Sequence, residues 1–402
     1  MEASFFTVSA HLMAGLVIKP RSRIYHGHDW VYASEVLKAF GGPVDGEVVS
    51  LKDGADRLLG SAIYNSKSQI VARRFSRQRQ ALDADFFRRR LQMAIDYRKR
   101  RGCDERLCRL VWSESDGLPG LIIDRYGDHL VLQTLTLAMD QKKGEIAAVL
   151  AELLHPRAIV ERNDAPIRKA EGMELQSGML QGEDPGLITI ETGGLRFEVD
   201  LLRGQKTGFY LDQRANYEGV AEFAKGRRVL DCFSNQGAFA MTCARSGAAA
   251  VTAVEISADA VSALRKNAQR NALEINCVEG NVFDYLKAQE QNEDQRWDLI
   301  VLYPPSFTKT KGKLSDALRG YKEIHLRALK LLTRDGLLAT FCCSHHVSRE
   351  EFQHVINEAA VDARRTLRQI TNFSQGADHP IISTIPETEY LKGFLFELVP
   401  GR

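Results

Sequence analysis

Val229-Leu230-Asp231-Cys232-Phe233-Ser234-Asn235-Gln236-Gly237-Ala238-Phe239 is the stretch on which the fold turns. An apolar strand pattern runs into a short polar turn with one glycine, and a helical pattern starts directly after it. An acid, Glu255, closes the next apolar run, eighteen residues beyond Gly237. This is the layout of nucleotide sites: the glycine lets the backbone approach a ligand, and the carboxylate can accept two ribose hydroxyls. The turn lacks the GxGxxG spacing that cradles a pyrophosphate, so a dinucleotide is disfavoured. A strand–turn–helix of purely structural meaning is the alternative.

Outward from this stretch, Ala250–Ile256, Cys277–Glu279, Asp298–Tyr303, Gly336–Phe341 and Gly393–Leu398 read as further strands, with helical stretches between most of them. That alternation predicts an α/β, doubly wound sheet, whose ligands sit beyond the carboxyl ends of the strands. S-adenosylmethionine has a ribose and no pyrophosphate, and is the expected cofactor. Two more strand ends face the same cleft. Leu302-Tyr303-Pro304-Pro305-Ser306-Phe307 places two prolines after a buried strand, a stiff turn of the methyltransferase kind. Thr340-Phe341-Cys342-Cys343-Ser344 ends the next one. Neighbouring strand side chains alternate faces, so only one of the two cysteines can point into the cleft. Most lone cysteines are core residues, which is the bland alternative.

Residues 13–76 read as a β-rich unit with strands at Met13–Lys19, Glu47–Ser50 and Ile70–Ala72, preceded by a loose extension over 1–12. Residues 77–190 read as a central α+β unit. It opens with a helix over Asp83–Arg101 and continues with a hairpin around Tyr126-Gly127-Asp128, a helix near Lys142–Leu154 and a strand at Ala158–Val160. The α/β unit takes 191–402, after a linker at Gly182–Gly186. The whole chain has 402 residues, with 54 Lys+Arg against 52 Asp+Glu. A net charge of +2 argues against a protein that coats nucleic acid by bulk electrostatics, and leaves room for a local basic surface. Seven cysteines without CxxC spacing predict reduced thiols and a cytoplasmic protein, with no metal site. The adjacent His345-His346 lacks acidic or thiol partners at ligand spacing and reads as a surface loop. No stretch is long and apolar enough for a membrane span, so no membrane partner is expected.

Taken together, these motifs resemble the bacterial large-subunit ribosomal RNA cytosine-5 methyltransferases of the RlmI type. The resemblance covers nearly the whole chain. Arg21–Trp30 and the strands after it resemble that family's N-terminal PUA domain, and Ser113–Gly120, Asp124–Gly127 and Arg168–Met173 its central domain. Lys206-Thr207-Gly208-Phe209-Tyr210-Leu211-Asp212-Gln213-Arg214, Arg319–Glu323 and Ala377-Asp378-His379-Pro380 are specific to it. It implies a Rossmann-like class I methyltransferase domain and S-adenosylmethionine as cofactor. The cofactor residues it implies are Tyr210, Asp212, Gln213, Asp231, Phe233, Ser234, Gly237, Glu255, Ile256, Asn281 and Val282. It further implies that Cys343 adds to C6 of a cytosine, so that C5 can take a methyl group before the cysteine is expelled. One departure matters: the family has Asp where this chain has Tyr303. A phenol, with a reference pKa near about 10, cannot carry the negative charge that an acid holds at neutral pH. Methyl transfer is therefore expected to be impaired, and Tyr303 is carried with Cys343 as a catalytic position.

Ribosomal RNA is the expected partner, and a homodimer is compatible with the resemblance. Between Arg73 and Arg101 the chain holds eleven Lys/Arg against three Asp, a local excess of 11 − 3 = +8. Arg88, Arg89, Lys99 and Arg100 of this stretch, with Lys309, Lys311 and Lys313 after the Pro-Pro turn, are the expected RNA contacts. A solvated charged helix is the alternative. Two other functions remain open: an RNA- and cofactor-binding pseudoenzyme, and an exocyclic-amine methyltransferase, which would not need Cys343.

Overall fold

A computed structural model describes residues 14–292, 295–307, 312 and 314–401. The expected extension at 1–12 and the expected strand start at Met13 lie outside the described residues. The chain divides into two compact units. The first runs to Gly186 and adds Asp200–Phe209 and Ala377–Thr388; the second holds Leu187–Val199, Tyr210–Gly376 and the residues from Glu389 onward.

The first unit contains two sheets. Strands β1 (Gly15–Ile18), β2 (Trp30–Val31), β3 (Val36–Phe40), β4 (Val48–Lys52), β5 (Leu58–Tyr64) and β6 (Ala72–Ser76) pair in the order β2-β6-β5-β4-β1-β3. Leu16, Ile18, Val49, Leu51 and Ala62 alternate inward to form their core. The strand expected from Ile70 begins two residues later, at Ala72. Ile70 and Val71 instead close a turn, in which the Ser68 hydroxyl accepts the Ile70 N–H and the Val71 carbonyl accepts the Asn65 N–H.

Helix α1 (Ala84–Arg100) starts where the Asp83 side chain accepts the Phe86 N–H, an N-cap. Phe86, Phe87, Leu91, Ala94 and Ile95 form its buried face, as their spacing predicts. Strands β7 (Leu107–Trp112), β8 (Leu121–Tyr126), β9 (His129–Thr134), β10 (Ala158–Asn163) and β11 (Gln176–Gln181) make the second sheet, ordered β11-β10-β9-β8-β7, with α2 (Leu137–Gln141) and α3 (Lys143–Leu154) between β9 and β10.

A buried polar network ties this unit together. Arg98 is 1% exposed and reaches Asp116 at 2.5 Å, and Arg109 reaches Asp124 at 2.7 Å. The Thr207 hydroxyl donates to Asp124 at 2.6 Å, and the Arg109 N–H donates to Asp378 at 2.9 Å. Thr207 and Asp378, two residues of the most specific motifs, are thus structural ties that satisfy buried charges. Arg98, counted in the basic stretch, turns inward.

In the second unit β12 (Leu187–Thr192) pairs with β13 (Leu195–Asp200). Then follow α4 (Arg214–Ala221), β14 (Arg228–Cys232), α5 (Ala238–Arg245), β15 (Ala250–Glu255), α6 (Ala258–Arg270), β16 (Asn276–Glu279), α7 (Val282–Gln289), β17 (Trp297–Leu302), α8 (Leu314–Leu331), β18 (Leu332–Cys342), α9 (Arg349–Asp362), β19 (Leu367–Ser374) and β20 (Lys392–Leu398). The seven-stranded order is β16-β15-β14-β17-β18-β20-β19. The first five strands run parallel, and β20 is antiparallel to both β18 and β19. This is the doubly wound sheet expected from the strand–helix alternation, reversing direction at β14. In open α/β sheets ligands bind outside the carboxyl ends of the strands at such a reversal.

Candidate active site

Register brings the sequence motifs to one edge of the sheet. Cys232 lies opposite both Val254 and Leu302, and Leu302 opposite Thr340. The residues that follow these positions, Phe233, Glu255, Tyr303 and Phe341, therefore emerge side by side at the carboxyl edge. The turn after β14 is conformationally tight: Phe233, Asn235 and Gly237 have φ of 61°, 49° and 84°. Non-glycine residues in the left-handed region cost energy and recur at ligand sites. The Glu255 carboxylate accepts the N–H groups of Asn235 and Ser257, each at 2.9 Å and one on each oxygen. A carboxylate has about four acceptor positions, so capacity for hydroxyls remains. Ile256, 63% exposed, leaves apolar surface beside it.

Gly237 has a packing role beside the one its motif suggests. A Cβ there would meet Leu264 of α6 at 2.7 Å, so the glycine is needed for close packing of turn against helix as much as for a ligand. Gly237→Ala is expected to lower the unfolding free energy by about 1–3 kcal/mol. Urea denaturation reads this; an unchanged midpoint and slope would mean that Leu264 swings aside.

Several buried polar atoms at this edge have no hydrogen-bond partner among the described residues: Gln213 Nε2, Asp231 Oδ1, Ser234 Oγ and Tyr303 Oη. Buried polar groups are normally satisfied, so such a group of orphans points to a ligand with donors and acceptors. Burial pushes the Asp231 carboxyl up to about 8, against the N–H it accepts from Ala240 and with the Glu255 charge adding to the rise. Asp212 is 1% exposed and accepts the Tyr390 hydroxyl at 2.7 Å. Asn281 caps α7, its side-chain oxygen accepting the Phe283 and Asp284 N–H groups, which leaves the amide nitrogen to reach a ligand. The Val282 side chain is buried in the core, so only its backbone can face the site.

Tyr303 is part-exposed as a residue, yet its hydroxyl is buried. Its ring meets Tyr210 edge-on at 5.8 Å and Phe341 at 5.9 Å. Burial, then the charges of Asp212 and Cys343, hold its phenol well above the usual range. It is a neutral group at physiological pH and cannot act as a base. The paired cysteines differ in burial. Cys342 is fully buried in the core and donates its S–H to the Tyr321 hydroxyl at 3.3 Å. Cys343, just past the end of β18, is part-exposed and lies within electrostatic reach of Tyr210 and Tyr303. Two neighbours were not anticipated from the sequence: Tyr390, and Lys392, which is 4% exposed and donates to the Ser344 carbonyl at 2.6 Å. A single lysine ahead of an apolar strand reads as a solvated flank, and nothing in the local pattern signals otherwise.

The expected RNA contacts separate. Arg88 is held between Asp85 at 2.6 Å and Glu152 at 2.9 Å, so its charge is already neutralised. Lys99 lies 3.5 Å from Glu105. Arg73, Arg74 and Arg98 are committed to internal acids. Arg89 and Arg100 are exposed and line a groove of about 990 Å³ in the first unit, together with Arg77, Arg90, Tyr97 and Met93. Lys309, Lys311 and Lys313 lie outside the described residues.

Comparison with known proteins gives this arrangement its context. A family model described as S-adenosylmethionine-dependent methyltransferase matches residues 172–395, and one described as PUA-like domain matches 19–77. The chain is 39% identical over 375 residues to "Ribosomal RNA large subunit methyltransferase I" of Klebsiella pneumoniae (strain 342), covering 91% of this chain and 93% of that protein. The protein of the same name from Erwinia tasmaniensis is 38% identical over 379 residues, covering 92% and 96%. Among solved structures, a provisionally named S-adenosylmethionine-dependent methyltransferase from Streptococcus mutans superposes with TM-score 0.81 at 23% identity, covering 95% of this chain and 99% of that one. A provisionally named methyltransferase complexed with SAH does so with TM-score 0.83 at 22% identity, with the same coverage.

Proposed function

Because this chain belongs to the S-adenosylmethionine-dependent methyltransferase family, we propose that it methylates C5 of a cytosine in large-subunit ribosomal RNA in the cytoplasm, through Cys343. The observation that carries the chemistry is the placement of Cys343 at the carboxyl edge, beside the Pro-Pro turn, while Cys342 is locked in the core.

The site suits the cofactor. Glu255 would hold the ribose hydroxyls, Ile256 and the Asn281 amide the adenine, and Asp231, Ser234 and Gln213 the polar methionine end. When bound, the cofactor supplies an electrophilic methyl group. The chain's part is to orient the base and make C5 nucleophilic. In the proposed cycle the Cys343 sulfur bonds to C6, and the electron pair of the C5–C6 double bond shifts onto C5, delocalised through C4 to N3. C5 then takes the methyl group, and loss of the C5 proton restores the double bond and expels the sulfur. The division at 76 and 190 is part of the same proposal, the first two parts holding RNA and the third carrying the reaction.

Labelled methyl transfer to large-subunit ribosomal RNA, followed by nuclease digestion, tests the reading. Label in 5-methylcytidine supports it, and label on an exocyclic amine overturns it. For the RNA path, the groove carrying Arg89 and Arg100 is the proposed phosphate contact. Arg89→Glu with Arg100→Glu is expected to raise KM with little change in kcat. It should also reduce the slope of log affinity against log salt by about 1 per arginine. An unchanged slope would remove the groove from the path.

A further inference from the structure

Lys392 is a buried lysine without a carboxylate partner among the described residues; burial lowers its pKa, and the neighbouring Cys342, Cys343 and Glu389 charges work the other way. Its residue is 4% exposed, and its one hydrogen bond is to the neutral Ser344 carbonyl at 2.6 Å. No acid lies within ion-pair distance of its nitrogen among the described residues. A buried charge is normally paired, because its desolvation is otherwise uncompensated. The acid within its electrostatic reach, Glu389, is already engaged with Arg349 at 3.0 Å. The phenols of Tyr210, Tyr303 and Tyr321 around the sulfurs are held neutral by burial. What remains beside the ammonium is sulfur. Lys392 sits directly opposite Cys342 in the β18–β20 ladder, so the two side chains share a face, and its hydrogen bond to Ser344 anchors the ammonium at the strand end, within electrostatic reach of both Cys342 and Cys343. Cys342 is not the anion, since burial pushes its thiol up and its S–H is donated to Tyr321.

We propose that Lys392 is a positioning residue whose buried ammonium is the counter-charge that holds the Cys343 sulfur as a thiolate. The thiol proton leaves to solvent and the lysine keeps its own, so the pair is an ion pair and not a proton exchange. The Ser344 carbonyl fixes the ammonium in place. This supplies what the proposed nucleophile needs, since a free thiol, with a pKa near about 8.5, is only a few per cent ionised at neutral pH. The inference rests on the reading of Cys343 as nucleophile.

The test needs neither RNA nor cofactor. Carboxamidomethylation of Cys343 by iodoacetamide is followed between pH 5 and 9 in the full chain, by mass spectrometry of its peptide. Lys392→Met should raise the midpoint of the rate profile by about one unit or more, and slow alkylation at pH 7 about tenfold. Lys392→Arg should keep the parent midpoint, because it keeps the charge. A merely structural lysine would lower the melting temperature of both variants and leave the midpoint in place. One midpoint shared by parent and Lys392→Met overturns the inference, as does Lys392→Arg behaving like Lys392→Met. Should Lys392→Met fail to fold, the ¹³Cε titration of Lys392 replaces it. Cys343→Ser should then lower the lysine's midpoint by about a unit, and no change overturns the pair. Methyl transfer by Cys343→Ala separates the two levels: an active variant with the midpoint shift intact removes the nucleophile and leaves the ion pair.

Discussion

Cys343→Ala is expected to abolish methyl transfer, by about 10³-fold or more, while Cys342→Ala stays active. The two residues are adjacent, so composition, expression and redox exposure are matched, and only the direction of the side chain differs. Cys342 is fully buried in the core that also holds Tyr321 and Phe352. Removing its sulfur deletes one weak hydrogen bond and a small buried volume, about 1–2 kcal/mol of stability. Cys343 stands past the strand end, on the side where the β17–β18 register brings the Pro304-Pro305 turn, and within electrostatic reach of Tyr210. If the sulfur forms a bond to C6, neither Tyr303, which is neutral, nor Lys392, which is buried, can replace it. Product analysis by mass spectrometry of nucleosides reads the result. Full activity in Cys343→Ala would instead favour methylation of an exocyclic amine, where the base nitrogen is itself the nucleophile.

The parts of this chain that were legible in its sequence are those in which burial is continuous. β14, β17 and β18 are buried almost throughout and read as apolar runs. Once they are placed in parallel register, the motif residues at their ends must meet, which is why Asp231, Glu255, Tyr303 and Cys343 could be grouped before any coordinates. β19 was missed because it is an edge strand: Leu-Arg-Gln-Ile-Thr-Asn-Phe-Ser is mostly exposed and lacks an apolar run. The basic stretch was legible as charge but not as surface. An arginine reads as solvated, and only the fold shows that Arg98 spends its charge on Asp116. Long-range closure was equally hidden. Nothing local says that Asp378 will return to the Arg109 backbone or that Tyr390 will hold Asp212. Lys392 belongs to the same class, a buried cation whose partners lie 48 residues away in the chain.

Tyr303→Asp is expected to raise methyl transfer by about 10²-fold or more, while making the protein less stable. In the proposed cycle the gain comes from an acid at the place where charge would develop on the base as sulfur attacks C6. The phenol cannot supply it, because burial and the nearby charges of Asp212 and Cys343 keep it neutral. The loss comes from the ring. Tyr303 packs edge-on against Tyr210 and Phe341, and its removal leaves a void that costs about 2–4 kcal/mol. The new carboxylate also faces Asp212 and Cys343, so its own proton is held more tightly than usual, and the gain should grow as pH rises through that raised midpoint. Bulk and acidity are separable. Tyr303→Ala opens the same space without an acid, and SAH affinity by calorimetry reports whether the ring blocks the cofactor. Tighter SAH binding in both variants, with equal activity gains, would make Tyr303 a steric plug. Equal SAH binding with a gain confined to Tyr303→Asp makes the missing acid the limiting feature. No gain in either variant would remove position 303 as the determinant of the rate and return the parent enzyme, with its phenol, to full standing.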